Sequence, residues 1–161
     1  MANPLRQEPY ELYLKLESLN EMQRICKGAA PNETIGLLVG SHNVSHGFHY
    51  TFVDGFLVGD TRSTRVRVEF EEGAMGPLVA ELRTRYPDSM VVGWFHSHPG
   101  YGCFLSSTDL DTQRSYFREL YHVALVVDPI REIFDIFKLH DDGRGYRQCS
   151  FAVLAGIGGS R

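Results

Sequence analysis

The stretch that most constrains this chain is residues 91–113, VVGWFHSHPGYGCFLSSTDLDTQ. Residues 90–95 are an apolar, partly β-branched run suited to a buried strand. Pro99, Gly100 and Gly102 then end it. A helix is expected to start within residues 106–109, with Leu110, Gln113, Phe117 and Leu120 continuing at helical spacing. Strand, turn-rich loop and helix follow one another so closely that the helix start can fold back over the strand end.

That arrangement has chemical content. Side chains two apart on a strand project from one face, so His96 and His98 can converge while Ser97 turns away. The returning helix start brings Asp109 over the same point. Two neutral imidazoles and one carboxylate make an open zinc site, with the fourth tetrahedral position left for water. Taken singly, such residues read as surface histidines and a helix-capping acid. An H-x-H pair at a strand end, with an acid at the next helix start, favours a metal.

Composition narrows the classes. A chain of 161 residues can bury a real core in one domain, and 43% hydrophobic with 22% charged residues is ordinary for a soluble globular protein. A net charge of −4 argues against a general nucleic-acid binder. No apolar run reaches the length of a membrane span, and the start, MANPLRQEPYEL, shows no signal-peptide core. Cys26, Cys103 and Cys149 are odd in number and lack C-x-x-C spacing, which suggests reduced thiols in a cytoplasmic protein.

Along the chain, residues 11–16 alternate as a first strand, with Leu12, Leu14 and Leu16 on one face. Ser18 to Glu21 fits a capping box that would start a helix through about Ala29. Residues 34–40 and 48–58 read as strands. Residues 61–70 read as a half-exposed strand, with Val66, Val68 and Phe70 on one face and Arg65, Arg67 and Glu69 on the other. A helix follows within 71–86. Strands are expected at 123–128 and 133–139, joined by the turn Pro129-Ile130-Arg131, with a last strand over 146–154 and a loose tail from 155 to 161. Interleaved strands and helices without repeat or linker imply a single α/β layer domain over 1–161.

The motif His96-Ser97-His98-Pro99, six residues, Ser106, two residues, Asp109 resembles the signature of the JAMM (MPN+) zinc metalloproteases, without gap or substitution. Within that family the run is most similar to the branch containing the proteasome-lid deubiquitinase. The likeness covers roughly residues 12–139. It implies a curved mixed β-sheet flanked by helices, similar to the cytidine deaminases. A deaminase itself would need H-x-E and P-C-x-x-C, and neither occurs.

The resemblance also implies roles. The segment Pro31-Asn32-Glu33-Thr34-Ile35-Gly36-Leu37-Leu38-Val39-Gly40 is similar to the one that carries the family's catalytic glutamate, so Glu33 takes that role. Zinc lowers the pKa of bound water to about 7, and a neighbouring carboxylate can take the proton and deliver it to the departing amine. Ser106 has two readings: as the S-x-x-D cap of the helix, and as the family's hydroxyl donor to the carbonyl oxygen as it gains charge. Trp94 and Ser97 read as packing and supporting residues. Cys103 lies in the loop near the metal, but the site is complete without its thiol.

The implied activity is a zinc isopeptidase that releases ubiquitin or a ubiquitin-like protein from a substrate lysine, with conjugates of those proteins as partners and a proteasome as a candidate partner. Trimming of ubiquitin-like sulfur carriers at a linear peptide bond is the alternative. A non-catalytic scaffold of the family would lack the ligands present here. Residues 60–70 match the place where lid-type relatives carry an insertion that contacts ubiquitin's tail. Arg65, Val66, Arg67 and Val68 are therefore the expected substrate-binding edge, able to accept an extended peptide as an added strand. The family's lid subunit has a long insertion after the segment that matches Val127-Asp128-Pro129. Here that segment runs almost directly into the next strand, so the chain reads as a minimal form.

Overall fold

The computed structural model describes residues 9–59 and 75–156. The expected strand over 61–70, with Arg65, Val66, Arg67 and Val68, lies outside the described residues, as does most of the 155–161 tail.

The elements run β1 (Leu12–Lys15), α1 (Leu16–Ala29), β2 (Ile35–Ser45), β3 (Phe48–Val58), α2 (Met75–Arg85), β4 (Met90–Ser97), α3 (Ser107–Tyr116), β5 (Val123–Asp128), β6 (Ile133–Leu139), β7 (Tyr146–Gln148) and β8 (Phe151–Leu154). The strands form one curled, mixed sheet in the order β7-β6-β5-β4-β2-β3-β1-β8. β1 runs parallel to β3 and β8, and β4 parallel to β5, while the other neighbours are antiparallel.

Alternation along the strands sends side chains to two apolar layers. One face packs Leu12, Leu14, Phe95, Leu125 and Val127 with Leu19, Met22 and Cys26 of α1. The other packs Leu37, Leu57, Trp94 and Val126 with Leu78 of α2 and with Leu105 and Phe117 around α3. Trp94 and His96 are two apart on β4 and therefore share the α3 layer, whereas Phe95 faces α1. The two layers thus decide which helix can cover the histidines.

Three local expectations are corrected. Ser18 does not cap α1, because the helix begins at Leu16 directly from β1, with Lys15 at the N-cap and no side-chain cap bond. The pairing of β2 with β3 slips between Val39 and Gly40, so that Val39 pairs with Gly55, Gly40 pairs with Val53, and Asp54 is left over as a bulge. The Ser18 hydroxyl donates to the Asp54 carbonyl (2.7 Å), and Lys15 pairs with the Asp54 carboxylate.

Residues 146–154 are two strands instead of one. β7 pairs with β6 and β8 pairs with β1, at opposite ends of the strand order, with Cys149 and Ser150 between them. There the Cys149 N–H donates to the Ile136 carbonyl (2.8 Å) and the Ser150 carbonyl accepts from the Leu12 N–H (3.1 Å). Glu11 accepts from Arg147 and from the Ser150 N–H, which ties this seam shut.

Finally, α3 ends at Tyr116, so Leu120 does not extend its stripe and is 75% exposed. Phe117 leaves helical geometry at φ −130° and ψ 63°, and its carbonyl is taken by the Gln113 side chain (3.0 Å). Among the described residues no helix is long and apolar enough to cross a membrane, which says nothing of a β-barrel.

Candidate metal centre

The C-terminal end of β4 delivers the histidines. His96 pairs with Val126 and Ser97 with Val127, and the His98 N–H continues the ladder by donating to the Val127 carbonyl (2.8 Å). On the other side Ile35 pairs with His96, and the Ser97 N–H donates to the Thr34 carbonyl (2.9 Å). The Ser97 hydroxyl accepts the Thr34 N–H (2.8 Å) and so fastens the start of β2 to β4. Glu33 directly precedes Thr34 and lies near enough to His98 and Asp109 for their charges to shift its pKa.

Asp109 arrives from α3. Ser106 is the N-cap, its hydroxyl accepting the Asp109 N–H (3.1 Å) while Asp109 Oδ2 accepts the Ser106 N–H (2.8 Å). The capping reading of Ser106 is thus realised, and it fixes the rotamer of Asp109 in the first helical turn, where a carboxylate is favoured.

The three side chains meet. His96 Nε2 lies 3.0 Å from His98 Nε2, and Asp109 Oδ2 lies 3.1 Å from His96 Nε2 and 3.3 Å from His98 Nε2. Among the described residues these three are the one group of three or more His, Cys, Asp or Glu with ligand atoms close enough to share a metal ion. His96 and His98 are 2% and 5% exposed.

The donor chemistry fits zinc. The His98 Nδ1 faces the Gly102 carbonyl (3.2 Å), which can only accept, so Nδ1 carries the proton and Nε2 of the neutral ring turns its lone pair inward. His96 Nδ1 is buried without a hydrogen-bond partner. A single proton cannot serve three acceptor atoms arranged as a triangle, whereas one cation can. The triangle's edges are close to the roughly 3.3 Å expected between tetrahedral ligands at zinc distances of about 2.0 Å.

Electrostatics agree with this geometry. Burial depresses the His96 pKa, so its ring is held in the neutral form that ligates metal. Burial opposes the charge on Asp109, but the adjacent His96 and His98 imidazoles hold its carboxyl well below the usual carboxylate range. Burial also opposes charge on His98, and there the Asp109 carboxylate prevails and raises its pKa. Glu33 is raised, chiefly by burial, with His98 lowering it and Asp109 raising it.

Supporting residues hold the rings. Trp94 stacks on His96 with centroids 4.4 Å apart and planes within 10°. Its indole N–H donates to the buried Gln113 Oε1 (2.5 Å), which ties the ring to α3. Phe104 packs on His98 at 4.8 Å, and Tyr101 lies at 6.4 Å. The Cys103 thiol donates to the Val126 carbonyl (3.5 Å), burial pushes its pKa up to about 11, and its sulfur is not part of the His96–His98–Asp109 cluster.

Two residues at the site carry no role in the sequence reading. Gln113 appeared there only as a helical position, since a buried amide has no sequence signature of its own. Asp128 appeared only beside a turn, yet it is fully buried and accepts from the N–H groups of Gly100, Gly102, Ile130 and Arg131. An acid directly before Pro129 was the available signal, and it pointed to the turn alone.

Comparison with known proteins gives a consistent outcome. Residues 11–120 match the family described as "JAB1/Mov34/MPN/PAD-1 ubiquitin protease". The chain is 36% identical over 144 residues to the 26S proteasome regulatory subunit RPN11 of Eremothecium gossypii, covering 84% of this chain and 45% of that protein. It is likewise 36% identical over 140 residues to the ubiquitin carboxyl-terminal hydrolase RPN11 of Saccharomyces cerevisiae, covering 82% and 44%. It therefore spans less than half the length of these curated relatives. A solution structure of a protein from Desulfitobacterium hafniense superposes with a TM-score of 0.66 at 21% identity, covering 91% of this chain and 95% of that one. A second, from Salinibacter ruber, gives 0.59 at 20% identity, with coverages of 92% and 94%. At such identities these two structures speak to the fold alone.

Proposed function

Because the chain belongs to the JAB1/Mov34/MPN/PAD-1 ubiquitin protease family, we propose that it is a zinc-dependent isopeptidase. It would hydrolyse the bond between the C-terminal glycine of ubiquitin or a ubiquitin-like protein and a substrate lysine. The observation that carries this reading is the convergence of His96 Nε2, His98 Nε2 and Asp109 Oδ2 within 3.3 Å, with Glu33 near enough for the charges of His98 and Asp109 to act on it.

His96, His98 and Asp109 would hold one zinc ion per chain. Zinc supplies a Lewis acid that acidifies a water and polarises a carbonyl. The remaining work belongs to the chain. Glu33 is partly desolvated, and its raised pKa moves it toward the range where a carboxylate both takes and returns a proton effectively. It accepts the proton of the attacking water on its carboxylate and delivers it to the lysine amine as that group leaves. The Ser106 oxygen is occupied as acceptor of the Asp109 N–H, which leaves its O–H to donate to the carbonyl oxygen as charge develops. The cap and the catalytic donor are then one hydroxyl used at both ends.

Arg65, Val66, Arg67 and Val68 are proposed to present a strand edge to the extended glycine-rich tail. A proline at the position whose N–H meets the substrate, Val66→Pro or Arg67→Pro, would lower kcat/KM with zinc content intact. Cleavage at the wild-type rate by both folded variants would remove that edge from the mechanism. Relatives named as proteasome subunits make a proteasome particle a candidate partner, and the free thiols Cys26, Cys103 and Cys149 suit a cytoplasmic setting.

The test is cleavage of an isopeptide-linked ubiquitin conjugate beside a linear ubiquitin-like fusion, with zinc and with a chelator. Isopeptide cleavage that the chelator abolishes is expected. Cleavage of the linear fusion alone would move the substrate class to sulfur-carrier trimming. No cleavage of any conjugate by zinc-loaded protein would contradict the proposal.

A further inference from the structure

The buried carboxylate of Asp128 closes β5 on the strand next to the histidines. Its Oδ1 accepts from Gly100 N–H (2.9 Å), Ile130 N–H (3.0 Å) and Arg131 N–H (3.1 Å), and its Oδ2 accepts from Gly102 N–H (2.8 Å). Two of these donors belong to its own turn. The other two belong to the loop after His98, some 26 and 28 residues away in sequence.

That loop needs an anchor. Gly100 and Gly102 have φ +83° and +82°, the left-handed region where glycine is favoured, so N–H groups two residues apart turn toward one point. With Asp128 there, the Gly102 residue is held at its N–H end and its carbonyl is aimed at His98 Nδ1. The link runs from carboxylate to Gly102 and from Gly102 to the imidazole, with no direct contact between Asp128 and the metal centre.

We infer that Asp128 is a positioning residue for the metal centre: through Gly102 it fixes the His98 tautomer and so keeps Nε2 available as a ligand. The consequence for metal binding rests on the zinc reading above, whereas the effect on the tautomer does not. The plainer role, capping the β5–β6 turn, uses Oδ1 with the Ile130 and Arg131 N–H groups, while Oδ2 has only a long contact (3.7 Å) to the exposed Arg131 guanidinium there.

The two roles separate chemically. Asp128→Asn can keep its carbonyl oxygen where Oδ1 receives three N–H groups, but then its NH2 replaces Oδ2 and faces the Gly102 N–H, donor against donor. Asp128→Ala loses both functions. A control, Glu11→Gln, loosens the distant seam at Arg147 and Ser150.

The decisive readout is the ring 15N spectrum of His98 in metal-free protein, at a pH high enough to leave the ring neutral. In wild type and Glu11→Gln the proton is expected on Nδ1, and in Asp128→Asn a mixture of tautomers is expected. Asp128→Asn should also release zinc to a chelator about 10- to 100-fold faster and alter the visible spectrum of the cobalt-substituted protein, while melting closer to wild type than Asp128→Ala does. An unchanged Nδ1–H tautomer in Asp128→Asn, or zinc release at the wild-type rate, would overturn the inference. Because the tautomer is read without metal, failure of the wild-type chain to bind zinc would strike the proposed function and leave that result standing.

Discussion

The molecule holds two histidine pairs of nearly equal spacing, and they are chemically unlike. His96 and His98 approach to 3.0 Å between Nε2 atoms at the end of β4. His42 Nε2 and His49 Nδ1 approach to 2.9 Å across the β2–β3 hairpin, toward the other end of the sheet. Each pair has an aromatic neighbour, with Trp94 stacked on His96 and Tyr121 on His42. The hairpin pair is exposed, so water competes for its nitrogens. The β4 pair is buried, has the Asp109 carboxylate within 3.3 Å, and has its His98 tautomer set by Gly102. Proximity of two imidazoles is therefore not what sets the proposed metal centre apart. Desolvation, a carboxylate within 3.3 Å and a fixed tautomer separate the two pairs.

The strongest way to break the contrast is to remove the anion. Asp109→Asn keeps the shape of the side chain and is expected to abolish stoichiometric zinc retention through dialysis. Zinc content equal to wild type would mean that the imidazoles suffice, as they would in the hairpin pair.

Next in size is Glu33→Gln, which leaves the proposed ligands in place and removes the proposed base. Turnover of an isopeptide conjugate should fall by about 10²- to 10⁴-fold with zinc content unchanged. Near-normal turnover by folded, zinc-loaded protein would assign the proton transfer elsewhere.

Ser106→Ala should cost about 10²-fold in kcat with little change in KM, together with roughly 1 kcal/mol of stability from the lost cap. A lower melting temperature with kcat intact would leave the hydroxyl with a structural role only.

The smallest expected effect lies at the seam between β7 and β8. Side-chain hydrogen bonds from Arg147 hold the Glu11 pKa at about 2, down from the usual 4.5. Its contribution is fully present above pH 4.5 and is lost as pH falls through about 2, and screening by solvent limits it to on the order of 1 kcal/mol. Acid titration of the melting temperature should accordingly be shallower between these values in Glu11→Gln. Identical curves would remove the seam from the acid response.

Much of this was legible in the sequence because it depends on local pattern. β3, β5 and β6 have the expected bounds, since alternating or continuous apolar runs end at clear turn residues. The spacing of His96, His98 and Asp109 sufficed to anticipate their meeting, because strand parity and a helix start fix where such side chains point. What escaped depends on partners distant in the chain. The division of 146–154 follows from Cys149 and Ser150 pairing with strands at opposite ends of the order, which no local period reveals. The start of α1 departs from the capping-box pattern because the Ser18 hydroxyl is claimed by a bulge at Asp54. Gln113 and Asp128 owe their importance to burial and to the donors facing them, which sequence pattern does not encode.

The contrast between the two pairs can be tested in one measurement: zinc per chain after equilibrium dialysis, for wild type, His98→Ala and the His42→Ala/His49→Ala double variant. One zinc is expected in wild type and in the double variant, and none in His98→Ala. Retained zinc in His98→Ala, or its loss from the double variant, would contradict the assignment of the metal centre to His96, His98 and Asp109.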